Sequence, residues 1–277
     1  MKLFFLISPG AIFLLTLVAN AQTHEEKFDT VVSDFLKGYF QANPISATSI
    51  GMHDYDNQLD DIGPAAIDAE LNRLIIFRKK LMDIDLKDLP RNKRIDHQIL
   101  SENIDEAIFG LRDVREFEWN PMTYTIALGN SFASLLYQEF APLEQRMKNA
   151  VERAKQVPRF LEQAKANLKN PPKMHVETAI KQNMGNISMI KNELATAGKT
   201  LSPELQSDIQ AASGAAITAL EDFGKWLEHD LMPRASKDTR LGKELFDKKL
   251  AYALKTSLTP GEILKRARAE KDRKSVV

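Results

Sequence analysis

Residues 142–198 read PLEQRMKNAVERAKQVPRFLEQAKANLKNPPKMHVETAIKQNMGNISMIKNELATAG, and their prolines and apolar spacings decide the fold class. Leu143, Met147, Val151 and Ala154 recur four, four and three residues apart, which places them on one face of a helix. Pro158 suits the first turn of a second helix, where its fixed φ is helical and its missing N–H is not needed. Phe160, Leu161, Ala164 and Leu168 give that run its apolar side. Pro171-Pro172 ends it, because a proline disfavours the α region in the residue before it. A third run carries Val176, Ile180, Met184, Ile187, Ile190 and Leu194 at helical spacing, with Gly198 placed as its cap. The stretch specifies architecture and carries no catalytic pattern.

Helical period extends to both sides. Phe28, Val32, Phe35 and Tyr39 mark a helix that Asn43-Pro44 ends, and a short segment then closes at Gly51 before an Asp-rich turn. Pro64 opens a helix with Ile67, Leu71, Leu74, Arg78 and Leu81 on one face. After Leu89-Pro90, the spacing predicts a buried set of Ile95, Ile99, Ile104, Ile108 and Leu111. Trp119-Asn120-Pro121 breaks the pattern, and Tyr124 to Asn130 reads as loop or short extended structure. Beyond Gly198, Ser202-Pro203 is a helix start. It is followed by a stripe of Leu205, Ile209, Ala212, Ala216, Leu220, Phe223 and Leu227. Phe246, Leu250 and Leu254 mark another helix, and Thr259 with Glu262 forms a capping box for the last one. The expectation is an all-α fold, an antiparallel bundle-like array of helices forming the N-terminal half of a larger helical fold. Ile263, Leu264 and Ala267 begin an apolar face that nothing later in the sequence answers, so the last helix reads as part of an incomplete element.

With 43% hydrophobic and 27% charged residues among 277, the composition is that of a globular protein. Lys+Arg and Asp+Glu are both 38, so no global field attracts nucleic acid or an anionic membrane. Residues 1–21 have a signal-peptide pattern: Lys2, an apolar run from Leu3 to Val18, then Ala19-Asn20-Ala21. The run is interrupted by Ser8-Pro9-Gly10 and is short against the roughly 20 apolar residues a bilayer requires. Cleavage between Ala21 and Gln22 is expected, leaving residues 22–277 as a periplasmic or secreted chain with no membrane attachment. The absence of cysteine excludes disulfides and a cysteine nucleophile.

A helical zinc site needs histidines at i and i+4 with a glutamate between them. His24, His53, His97, His175 and His229 include no such pair, and His24-Glu25-Glu26-Lys27-Phe28 has Phe28 where the second ligand belongs. No Gly-x-Ser-x-Gly elbow and no glycine-rich phosphate loop is present. His53-Asp54-Tyr55-Asp56 is the densest polar cluster. It reads either as a cleft in which a carboxylate orients an imidazole or as a polar turn whose Asp side chains satisfy backbone donors. Trp119 and Trp226 read as core or interface anchors. His53, Asp56 and Tyr124 are therefore candidate cleft-lining residues, and no catalytic, cofactor-binding or metal-binding residue is assigned.

The chain resembles the N-terminal part of the bacterial family called domain of unknown function 885. The resemblance rests on Pro44-Ile45-Ser46-Ala47-Thr48 with Gly51 to Asp56, Asn120 to Tyr124 and Val157 to Leu161. Further segments are Pro171-Pro172, the Glu177 to Gln182 helix, Trp226-Leu227, Leu231 to Ala235 and the helix start at Thr259. It implies likeness to the gluzincin metallopeptidases: mostly helical, deeply cleft, with a His-Glu-x-x-Pro-Gly-His-type zinc motif in the C-terminal half. That motif is absent from these residues, so the zinc and the peptide substrate implied for the full-length family carry over to no position here. Two functions follow as expectations: the helical half of an exported zinc-peptidase-like protein, silent by itself, or an autonomous periplasmic helical binding protein without enzymatic activity.

Overall fold

The computed structural model describes residues 22–256 and 258–274; the expected signal segment, with its cleavage position, lies outside the described residues. The all-α expectation holds, and no strand occurs among the described residues. Helix α1 spans His24–Ala42 and opens on a capping box, in which the Glu26 N–H donates to Thr23 Oγ1 at 3.2 Å and the Thr23 N–H donates to Glu26 Oε2 at 2.9 Å. The short α2, Pro44–Ser49, ends at Gly51, whose φ of +90° needs a residue without Cβ. Helices α3, Pro64–Met82, and α4, Arg91–Phe109, lie side by side. Their cross-contacts run in opposite numerical order: Arg78 Nε to Asp105 Oδ1 at 2.7 Å, and His97 Nε2 to the Leu81 carbonyl at 3.0 Å. The pair is antiparallel.

Helices α5, Met122–Tyr137, and α6, Leu143–Asn167, form a second antiparallel pair. Helix α7, Lys173–Ser188, runs through a π-helical turn, Met189–Leu194, into α8, Ala195–Gly198. Helix α9, Pro203–Trp226, packs along α6, and α10, Lys243–Leu254, and α11, Pro260–Lys274, follow. Apolar side chains gather in two cores. The larger joins α5, α6, α7 and α9 through residues such as Phe132, Met147, Phe160, Val176, Leu220 and Phe223. The smaller joins α1, α3 and α4 through Phe28, Leu74, Leu81, Ile104 and Ile108.

Besides residues 124–130, read as loop or extended structure and found within helix α5, four details depart from the sequence reading. Pro158 lies inside α6 rather than opening a new helix. The buried face Met147, Ala150, Ala154, Val157, Leu161 and Ala164 continues across it, and that burial outweighs the roughly 3 kcal/mol an interior proline costs. On α4 the inward stripe is His97, Ile104 and Ile108, while Ile95 and Ile99 are about half exposed. The His97 ring satisfies a buried carbonyl that an isoleucine could not, and it packs against Phe28 at 5.7 Å. The π-helical turn shifts the register of the third run, burying Ile190 and Leu194 but leaving Met184 exposed. Finally, Gly198 does not adopt a left-handed cap. A Cβ there would lie 2.8 Å from Ile209 Cδ1, so the glycine lets α8 approach α9.

Candidate functional site

Helix α6 carries two arginines, Arg146 and Arg153, within its buried face. Arg146 Nη1 donates to the Leu135 carbonyl at 2.7 Å and its Nε to the Ala141 carbonyl at 3.0 Å, satisfying the orphan acceptors where α5 ends. Arg153 is fully buried. Its Nη1 donates to the Ser131 carbonyl at 2.5 Å and its Nη2 to Thr48 Oγ1 at 2.6 Å. The Thr48 hydroxyl in turn lies 2.7 Å from Asp56 Oδ1, and both Asp56 oxygens lie 3.1–3.2 Å from His53 Nδ1. The His53 ring stacks on Phe140 at 3.8 Å. Burial pulls the Arg153 guanidinium down to about 10, with Asp56 and Asp60 opposing the shift. Asp60 Oδ1 accepts the Ile45 N–H at 3.0 Å, capping the first turn of α2 from a distance. Burial nevertheless pushes this carboxyl up to about 6.

His53 and Asp56 thus meet, and both line a surface depression of about 330 Å³ beside Phe140 and Gln145. The arrangement orients an imidazole but offers it no nucleophile. The Thr48 hydroxyl is buried on the far side of Asp56, held between Asp56 and Arg153. Tyr124 does not line a cleft. Residues 122–137 are helical because Asn120 Oδ1 accepts the Met122 N–H at 3.1 Å and Pro121 fits the helix start. That start turns Tyr124 inward, where it is buried and its hydroxyl donates to the Phe117 carbonyl at 2.6 Å. Burial drives its phenol well above the usual tyrosine range.

The network fixes the segment between α2 and α3. Side-chain amides of α6 complete the attachment: Gln156 Oε1 accepts the Leu59 N–H at 3.0 Å and Gln163 Oε1 accepts the Ile62 N–H at 3.2 Å. Asn167 Nδ2 donates to the Ile62 carbonyl at 2.6 Å. This segment forms one wall of a cleft of about 680 Å³ against α3 and α6, with Asp60, Asp61, Glu70, Arg73 and Arg159 among its lining. A second cavity of about 520 Å³, between α3, the π-helical turn Gly110–Val114 and α10, shares Asn43, Glu70, Leu111 and Thr123 with the first. Both lie where the two cores face each other. Glu70 closes bidentately on Arg73, at 2.6 and 2.8 Å. The arginine and threonine of the network escaped the sequence reading, although Arg146 and Arg153, seven residues apart on an otherwise apolar stripe, were a legible signal.

Among the described residues no group of three His, Cys, Asp or Glu could hold a metal ion. The histidines are dispersed: His24 accepts the Asp85 N–H, His97 serves Leu81, His175 stacks on Trp119 at 5.8 Å, and His229 is exposed. The residues present do not fit the zinc that the family resemblance implies. No described helix is long and apolar enough to cross a membrane.

The sequence profile of the family described as bacterial protein of unknown function (DUF885) matches residues 44–275. The chain belongs to that family. A solved chain described as "a putative lipoprotein of unknown function from Shewanella oneidensis" superposes on this DUF885 chain with a TM-score of 0.80 at 24% identity. The match covers 91% of this chain and 46% of that one, so this chain spans less than half its length, and the likeness is one of fold. No curated protein matches the DUF885 chain.

Proposed function

We propose that residues 22–277 form the helical N-terminal lobe of an exported DUF885 protein of the zinc-peptidase type, supplying one wall of a peptide cleft. The cleft between the two cores carries this reading. Its roughly 680 Å³ lies within the size of ligand sites, and it combines an apolar floor with charges of both signs, suited to an extended peptide. No group of three metal-ligating side chains occurs among the described residues, so the metal and its reacting groups would come from residues other than these and no chemical step is assigned to the lobe. Half-exposed Phe246, Leu254 and Leu264 on α10 and α11 support a surface that a further lobe covers. The signal-type pattern of residues 1–21 supports export.

The purified chain is expected to hold no stoichiometric zinc by elemental analysis, to cleave no peptide, and to bind unstructured peptides weakly. Stoichiometric zinc with turnover refutes the silent lobe. Ala66→Trp, which fills the cleft from α3, should abolish peptide binding; retention removes the cleft from the reading. The alternative, an autonomous binding protein, draws on the two buried cores formed by the described residues. It predicts no binding of a hydrophobic dye, whereas the lobe binds dye through α10 and α11.

A further inference from the structure

A groove of about 430 Å³ lies at the larger core, between α9 and the π-helical turn with α8. Its floor is Ile190, Ile209 and Ile217, and its rim carries Lys191 and Lys199. No carboxylate lines it. The nearest acid in sequence, Glu193, instead accepts the Tyr137 hydroxyl of α5. Neither lysine has an ion-pair partner among the described residues, unlike lysines such as Lys148, Lys155 and Lys165, each matched by a carboxylate three or four residues away. The wall also contains Ser213, which is 7% exposed and whose hydroxyl makes no hydrogen bond. Buried hydroxyls are otherwise paired in proteins, as Thr48, Thr125 and Ser131 are here. An apolar floor, two unmatched cations and an unpaired donor define one ligand chemistry.

We infer that this groove binds a small amphiphilic carboxylate, its aliphatic body on Ile190, Ile209 and Ile217 and its carboxylate at Lys191 and Lys199. The volume falls in the range of small-molecule sites. The π-helical turn, a departure from regular helix that recurs at functional sites, places Lys191 at the rim while burying its neighbour Ile190. The inference stands apart from the peptide cleft, since no residue is shared between the two.

The test is titration of the purified chain with octanoate, followed by calorimetry and by NMR of labelled isoleucine methyls. Saturable binding with a Kd below about 1 mM is expected, with perturbations at Ile190, Ile209 and Ile217. Octanol, which keeps the body and loses the charge, should bind at least about tenfold more weakly, the usual scale for one charge-assisted contact. The double variant Lys191→Gln/Lys199→Gln, at exposed positions that leave the core intact, should lose octanoate affinity by at least about tenfold. Absence of saturable binding, equal affinity for octanol, undiminished binding by the double variant, or perturbations confined to the cleft beside Leu111 would each overturn the assignment.

Discussion

Arg153 is the residue on which the polar interior depends. Its guanidinium is buried with Thr48, Asp56 and the Ser131 carbonyl as neighbours, and removing one member of such a set strands the others in low dielectric. Arg153→Met should therefore destabilise the fold by about 3–5 kcal/mol in urea denaturation, far more than substitution of an exposed arginine such as Arg268. Two carboxyls give opposite pH signatures. Asp60 titrates at about 6 in the fold against 3.8 for an unperturbed aspartate, so the folded state binds the proton more tightly. Its contribution favours the fold at low pH and is lost as pH rises from about 4 through 6. Asp60→Asn, which keeps an acceptor for Ile45, should flatten that fall. Glu118, hydrogen-bonded by Arg115 and Lys169, is held down at about 2 against 4.5. Its contribution is present above pH 4.5 and is lost as pH falls through 2. Glu118→Gln should therefore lower the urea midpoint at pH 7 and change it little at pH 2.

Elements were legible where burial follows helical period. The stripe from Leu205 to Leu227 is buried as its spacing predicts, and Ser202 caps α9 by accepting the Leu205 N–H at 3.3 Å. The reading failed where packing overrode a local rule: at Pro158, within α6, and at Ile95 and Ile99, displaced from the core by His97. It failed again at Tyr124, because Asn120-Pro121 can break a helix or begin one and only the partner of Asn120 decides. The candidate site was half legible. His53 and Asp56 are adjacent in sequence, but their buried partners Thr48 and Arg153 lie 105 residues apart, a separation no local pattern records. Helix α11 shows local order without burial: Thr259 and Glu262 cap it as the sequence predicts, yet none of its residues is buried. Thr259→Ala should remove about 1 kcal/mol from that helix alone. Hydrogen exchange should then show faster amides in 260–274 with the global unfolding midpoint unchanged.

At the scale of the molecule, two cores meet across a cleft, and the smaller is built from α1, α3, α4 and the connection carrying Ile84 and Leu89. Opening free energy follows buried contact, so amides of α1, α3 and α4 should exchange through subglobal openings before those of α6 and α9, as native-state exchange in low urea would report. Equal exchange at every urea concentration would mean that the cleft does not divide the fold into separately opening units. The segment 56–63, which leads from α2 into α3, is gripped by Gln156 and Gln163 of α6. Seven residues of helix advance about 10.5 Å, and three residues of extended chain from Leu59 to Ile62 span about 10–11 Å. The two rulers agree. Surface connections ordinarily tolerate gained or lost residues, but an indel of a single position here would put every downstream amide out of step with its glutamine, so relatives sharing this clasp should conserve the length of the segment even where its letters drift.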